Sequence, residues 1–166
     1  WASACNSPFR RHKIWVHEGG ISTPLIVHWP AGLTARGELR HTVGHVIDLL
    51  PTIVELAGGR MPSEHHDPAT PPLPGRSLVA ALQGDEADRQ RVLYFHHEGN
   101  RALRSGDWKL VSAREDGNTW ELFDLHMDRG ENHNLAAQHP DRVRQLETQW
   151  KTLDASFQQL AESPEP

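Results

Sequence analysis

The sequence predicts a chain that runs from the end of an α/β sheet into a small α+β subdomain. Three observations carry this. Pro24-Leu25-Ile26-Val27 is a short apolar run without polar alternation, set between a glycine turn and Pro30, as expected of a strand covered on both faces. Residues 92–125 hold short apolar segments separated by turn residues, the pattern of an antiparallel meander. From Val143 the residues Leu146, Trp150, Leu153, Phe157 and Leu160 follow at alternating steps of three and four, one stripe of a long helix. The expected division is 1–90 for the α/β part and 91–166 for the α+β part.

Residues 1–20 are expected to be mostly loop. Arg10, Arg11, His12 and Lys13 form a basic cluster suited to an anion. Gly19 and Gly20 tolerate positive φ and let the backbone reverse. The strand is expected over 23–29, ended by Pro30, which has no N–H for a ladder. Asp48 is the expected cap of a helix whose first turn holds Pro51 and whose end is set by Gly58-Gly59. Its apolar residues Leu49, Leu50, Ile53, Val54, Leu56 and Ala57 are expected to pack on the sheet. By composition the proline-rich stretch 61–75 reads as a linker, and 84–90 as a charged surface turn.

Four strands follow, over 92–97, 101–104, 108–113 and 120–125. Glu98-Gly99-Asn100, Ser105-Gly106-Asp107 and Glu115-Asp116-Gly117-Asn118 supply the turns. The last helix is expected from about Pro140 to Leu160, with Pro140 in its first turn and Asp141 at the positive end of its dipole. Its stripe is expected to cross one face of the meander, with Trp150 and Phe157 contributing most. The tail from Glu162 is expected to fray.

Composition bounds the function. The chain has 166 residues, 37% apolar and 23% charged, with net charge -5. That fits a globular protein and argues against nucleic acid as a partner, which calls for a basic stripe. No apolar run approaches the roughly 20 residues of a membrane helix, so no membrane partner is expected. The absence of an initiating Met predicts a piece of a longer protein. The 12 histidines follow none of the zinc spacings, so no metal site is expected from this chain alone.

Lys13, then Glu18-Gly19-Gly20-Ile21, Pro24 and Trp29-Pro30 closely resemble the late part of the sulfatases, in particular the arylsulfatases. The string Asp48 to Gly58 is similar to the helix that follows the strand in that family. Gly75-Arg76-Ser77-Leu78 resembles its G-x-S-L turn, which implies an ordered irregular loop over 61–75 and a short helix from Leu78 to Leu82 capped by Ser77. Arg101 to Leu110, Glu121 to Leu125, and Asp128 through Glu131 to Asn134-Leu135-Ala136 are similar to the family's C-terminal subdomain. The likeness runs over roughly residues 1–157.

The resemblance implies an alkaline-phosphatase-like α/β sulfatase domain ending in a four-stranded antiparallel sheet packed by a long helix. It implies hydrolysis of sulfate esters by a formylglycine nucleophile, with calcium holding the sulfate oxygens. Lys13 sits at the spacing of the family's sulfate-binding lysine, and its compact cation suits the role. His17, next to Glu18, is a second candidate substrate contact. Cys5-Asn6-Ser7-Pro8-Phe9-Arg10 has the residue types of the nucleophile motif in the wrong order, so Cys5 is rejected as nucleophile. No nucleophile motif and no paired metal aspartates match here. The chain alone is therefore expected to bind no calcium and to be inactive. Relatives of this kind suggest a periplasmic or extracellular location.

Two other readings stand beside the enzyme. The meander and helix form an autonomous interaction module, or the chain belongs to a phosphatase or phosphonate hydrolase of related fold. A bare apolar edge around Leu25 to Val27, open to self-association, favours part of an enzyme; a fully covered surface favours the module.

Overall fold

The computed structural model describes residues 1–34, 36–60, 74–84 and 90–162. They fall into two compact units, one of Trp1–Leu25 with Gln90–Glu162, the other within Ile26–Arg89.

The first unit is built on four strands, β1 (Val92–His97), β2 (Asn100–Ser105), β3 (Trp108–Ser112) and β4 (Trp120–Asp124). They form one antiparallel sheet in the order β1-β2-β3-β4, the expected meander. The first hairpin closes over Glu98 and Gly99, both at positive φ, which matches the right-handed twist of the strands it joins. Gly106 (φ +62) opens the second turn. The third runs through a 3-10 turn at Arg114–Asp116, then Gly117 and Asn118, again at positive φ.

Side chains alternate across the sheet, and both faces are buried at its centre. On one face Leu103, Leu110 and Leu122 pack with Leu146 and Trp150 of the long helix α5 (Pro140–Glu162). The stripe therefore crosses one face of the meander as its spacing predicts. Trp150 also donates from its indole N–H to the Phe95 carbonyl (3.2 Å) and stacks on Tyr94. The Tyr94 hydroxyl donates to Asp154 at 2.5 Å; burial, with that carboxylate second, pushes the Tyr94 pKa up. Phe157 and Leu160 depart from expectation. Both are exposed, although the Phe157 ring still meets Tyr94 with centroids 5.1 Å apart.

The opposite face carries Ala102, Val111, Phe123 and Leu125, covered by Val16 and Ile21 from the N-terminal segment. That segment holds two short helices, α1 (Ala2–Cys5) and α2 (Glu18–Ile21). The sequence assigns residues 1–25 to the α/β part; in the structure they pack with the meander.

The strand expected over 23–29 is not formed. These residues carry no regular secondary structure, and Leu25, Ile26 and Val27 are exposed. A doubly covered strand needs a neighbour on each side, and the described residues supply none.

In the second unit a 3-10 turn at Val46–Asp48 leads into α3 (Leu49–Leu56), and α4 (Val79–Gln83) follows. Asp48 does not cap α3 by a side-chain hydrogen bond. Its buried carboxylate accepts instead from the backbone N–H groups of His45 (2.7 Å) and Arg76 (2.9 Å). Thr52 continues the link by accepting from the Leu78 N–H. Ser77 accepts from the Val79 N–H (3.2 Å) but is not the cap expected of it: α4 starts one residue later, with Leu78 at its N-cap and no side-chain cap hydrogen bond. Leu49, Leu50, Ile53 and Leu56, expected to pack on a sheet, are exposed. The loop expected over 61–75 lies outside the described residues up to Leu73, as does most of the turn at 84–90. No helix among the described residues is long and apolar enough to cross a membrane.

Candidate functional site

The basic loop 10–17 is folded back against α2 so tightly that side chains are excluded there. A Cβ on Gly19 would lie 2.2 Å from the Arg10 carbonyl oxygen, and one on Gly20 would lie 1.9 Å from that of Trp15. The close approach lets the Gly19 N–H donate to the Arg10 carbonyl at 3.0 Å. Asn6 donates to the Gly19 carbonyl (2.8 Å), and Asn100 of β2 donates to the Ile14 carbonyl (3.1 Å). Asn100 holds Ile14, a β-branched residue, at φ +103, a conformation that costs energy and persists only where surroundings impose it.

The basic cluster does not present all its charges to a ligand. Arg10 donates to the Glu131 carbonyl at 2.5 Å and lies 3.7 Å from Glu121. Arg11 pairs with Asp116 (2.5 Å) and Glu115 (3.7 Å). His12 packs edge-on against Trp15. Lys13 is exposed, with no hydrogen-bond or ion-pair partner among the described residues.

His17 lies in a different environment. It is fully buried, and its Nε2 is 3.4 Å from Glu121 Oε2. That hydrogen bond, against the effect of burial and with help from Arg10, holds the Glu121 carboxyl below its usual pKa. The structure thus does not bring Lys13 and His17 to a common surface. Cys5 is exposed and free.

Beneath the loop lies an ion cluster that sequence reasoning missed. Lys109, in β3, is fully buried on the sheet face that the N-terminal segment covers. Its ammonium donates to Glu18 Oε1 at 2.9 Å and lies 2.8 Å from Glu131 Oε1. Glu131 Oε2 accepts the backbone N–H of Glu18 (2.8 Å). Arg129 stands 3.6 Å from the second Glu18 oxygen. Burial would raise the Glu18 pKa, but the Lys109 charge and hydrogen bond, with Arg104 and Arg129 further out, outweigh it and bring it down. The signal was in three motifs read separately: Glu-Gly-Gly, the W-K-L of β3, and the D-x-x-E turn. Each contributes one ion.

Among the described residues, no group of three or more His, Cys, Asp or Glu is arranged to hold a metal.

The crystal structure of Ps i-CgsB has a similar fold. That structure matches 89% of this chain and 32% of its own, with TM-score 0.74 at 24% identity, which establishes a shared fold. The family model described as N-sulphoglucosamine sulphohydrolase, C-terminal, matches residues 10–159: the chain belongs to the sulfatase family and corresponds to its C-terminal portion. It is 32% identical over 160 residues to an uncharacterized sulfatase of Schizosaccharomyces pombe, covering 93% of this chain and 29% of the relative. It is 29% identical over 199 residues to arylsulfatase A of Bos taurus, covering 98% of this chain and 38% of the relative. The chain thus spans about a third of the length of these relatives.

Proposed function

We propose that this chain is the C-terminal part of an enzyme that hydrolyses sulfate esters, and that Lys13 is its contribution to the sulfate site. One observation carries the reading. In a loop where Arg10 and Arg11 are engaged by the protein, the lysine five positions before Glu18 is held out, exposed and unpaired among the described residues. A sulfate ester needs positive charge on its oxygens as the alcohol departs. An ammonium already in place supplies it without reorganisation.

His17, enclosed and bonded to Glu121, serves in this reading to support the loop. The nucleophile and the calcium implied by the resemblance would come from sequence outside this chain. The exposed apolar residues at Leu25–Val27 and along α3 support part of a larger enzyme over an autonomous module, since a free-standing module would cover them.

The test is Lys13→Ala in the full-length protein, assayed on an aryl sulfate. The expected loss in kcat/KM is about 100-fold or more. An unchanged rate removes the assignment. The chain by itself is expected to show no turnover, and release of sulfate by it would place the whole site within these residues.

A further inference from the structure

We propose that Lys109 is a positioning residue for Lys13, acting through Glu18 and Glu131 on the backbone of the loop between Arg10 and Ile21. The proposal rests on the reading of Lys13 as the sulfate contact.

A fully buried lysine is costly unless paired and hydrogen-bonded. Packing alone does not call for one here. Across the strands it faces Phe123 on one side and a second cation, Arg104, on the other, a place that an apolar side chain would fill at less cost. What the ammonium does is gather two carboxylates, and both are tied to the loop. Glu18 opens α2, and its own N–H is bonded to the Glu131 side chain. The Glu131 carbonyl in turn accepts from Arg10, at the other end of the loop. The Gly19 N–H bonds the Arg10 carbonyl. Both ends of the segment from Arg10 to Glu18 are therefore fixed to one point on β3. Asn100 fixes its middle at Ile14, the residue next to Lys13.

Among the described residues Lys13 itself has no partner to set its place. Its ammonium can be carried to a defined point only by the backbone from which it extends. Removing the Lys109 charge takes away the cation that bonds both buried carboxylates, with Arg129 left 3.6 Å from Glu18 alone. Glu18 and Glu131 are then no longer drawn to one point, and the bond from the Glu18 N–H to Glu131 at the foot of the loop shifts with them. A displacement of about 1 Å is enough to lower turnover by about 100-fold.

The experiment is a double-mutant cycle in the full-length protein, with 4-nitrophenyl sulfate as the probe. It compares wild type, Lys13→Ala, Lys109→Met and the double variant, each checked for native near-UV circular dichroism at the assay temperature. Folded Lys109→Met is expected to lower kcat by about 10- to 100-fold. The double variant is expected to be no slower than Lys13→Ala, to within about twofold. A purely structural role would leave kcat per folded molecule unchanged, and that result overturns the proposal. So does a double variant slowed by the product of the two single effects.

Should Lys109→Met not fold, Glu131→Gln replaces it in the same cycle. It keeps the volume and an acceptor for the Glu18 N–H while removing one of the two charges, and the same outcomes decide. Full activity in Lys13→Ala overturns the functional reading and this proposal with it. A slow Lys13→Ala with a multiplicative cycle overturns only the role of Lys109.

Discussion

Trp150→Ala removes the largest side chain that α5 places against the sheet. Trp150 is 4% exposed. Its ring stacks on Tyr94 with centroids 5.4 Å apart and meets Trp120 edge-on at 6.0 Å. An indole of this kind buries roughly 200 Å², which at about 25 cal/mol per Å² amounts to about 5 kcal/mol. The unfolded chain already hides part of that area, which lowers the figure. The Phe95 carbonyl also loses its donor, which adds about 1 kcal/mol. The expected cost is about 3–5 kcal/mol, in the range of large-to-Ala core substitutions. Phe157→Ala is the internal control. It lies on the same stripe but is 41% exposed, so its cost should be about 1 kcal/mol. Urea unfolding followed by far-UV circular dichroism measures both without relying on tryptophan emission. Equal costs for the two variants would refute the placement of α5, whatever their absolute size.

Two further outcomes follow from the loop. Gly20→Ala sets a methyl group 1.9 Å from the Trp15 carbonyl oxygen. The methyl meets backbone, which cannot swing aside as a flexible side chain would, so the loop must open; urea unfolding should show a loss of about 2 kcal/mol or more, and a neutral result would contradict the fold of the loop. Stability should also depend on acid through Glu18. Its folded pKa lies below the ordinary 4.5, so between the two values the unfolded chain binds more protons than the folded one. The contribution is fully present above 4.5 and is lost as pH falls through the folded value. Unfolding free energies at pH 7 and pH 4 should differ more in the native protein than in Glu18→Gln, and equal slopes would sink this assignment.

The meander and α5 were legible in the sequence because their signals are local. Gly99, Gly117 and Asn118 take positive φ readily whatever surrounds them, and the 3-4 spacing from Val143 to Trp150 needs only one apolar face to meet. The strand at 23–29 was not, because a doubly covered strand is defined by its neighbours. Asp48 was misplaced for a related reason: its partner Arg76 is 28 residues away, so proximity to α3 suggested a cap.

The site was half legible. The spacing of Lys13 to Glu18 marked the loop, but Arg10 and Arg11 looked available because their carboxylate partners, Glu121 and Asp116, lie more than 100 residues on. Lys109 resisted reading altogether. A lysine between Trp108 and Leu110 reads as a solvent-facing position in an alternating strand. Only the covering of that face by the N-terminal segment turns it inward.

That covering bears on where the polypeptide can be divided. A piece beginning at Arg91 would retain every strand and the whole of α5, and by inspection of secondary structure would look complete. It would nonetheless lay bare Phe123, Val111 and an ammonium stripped of Glu18, one of its two counterions. The seam of this subdomain therefore runs after Leu25 as well as before Arg91, and gene dissection that respects only the second seam removes half of the wrapping.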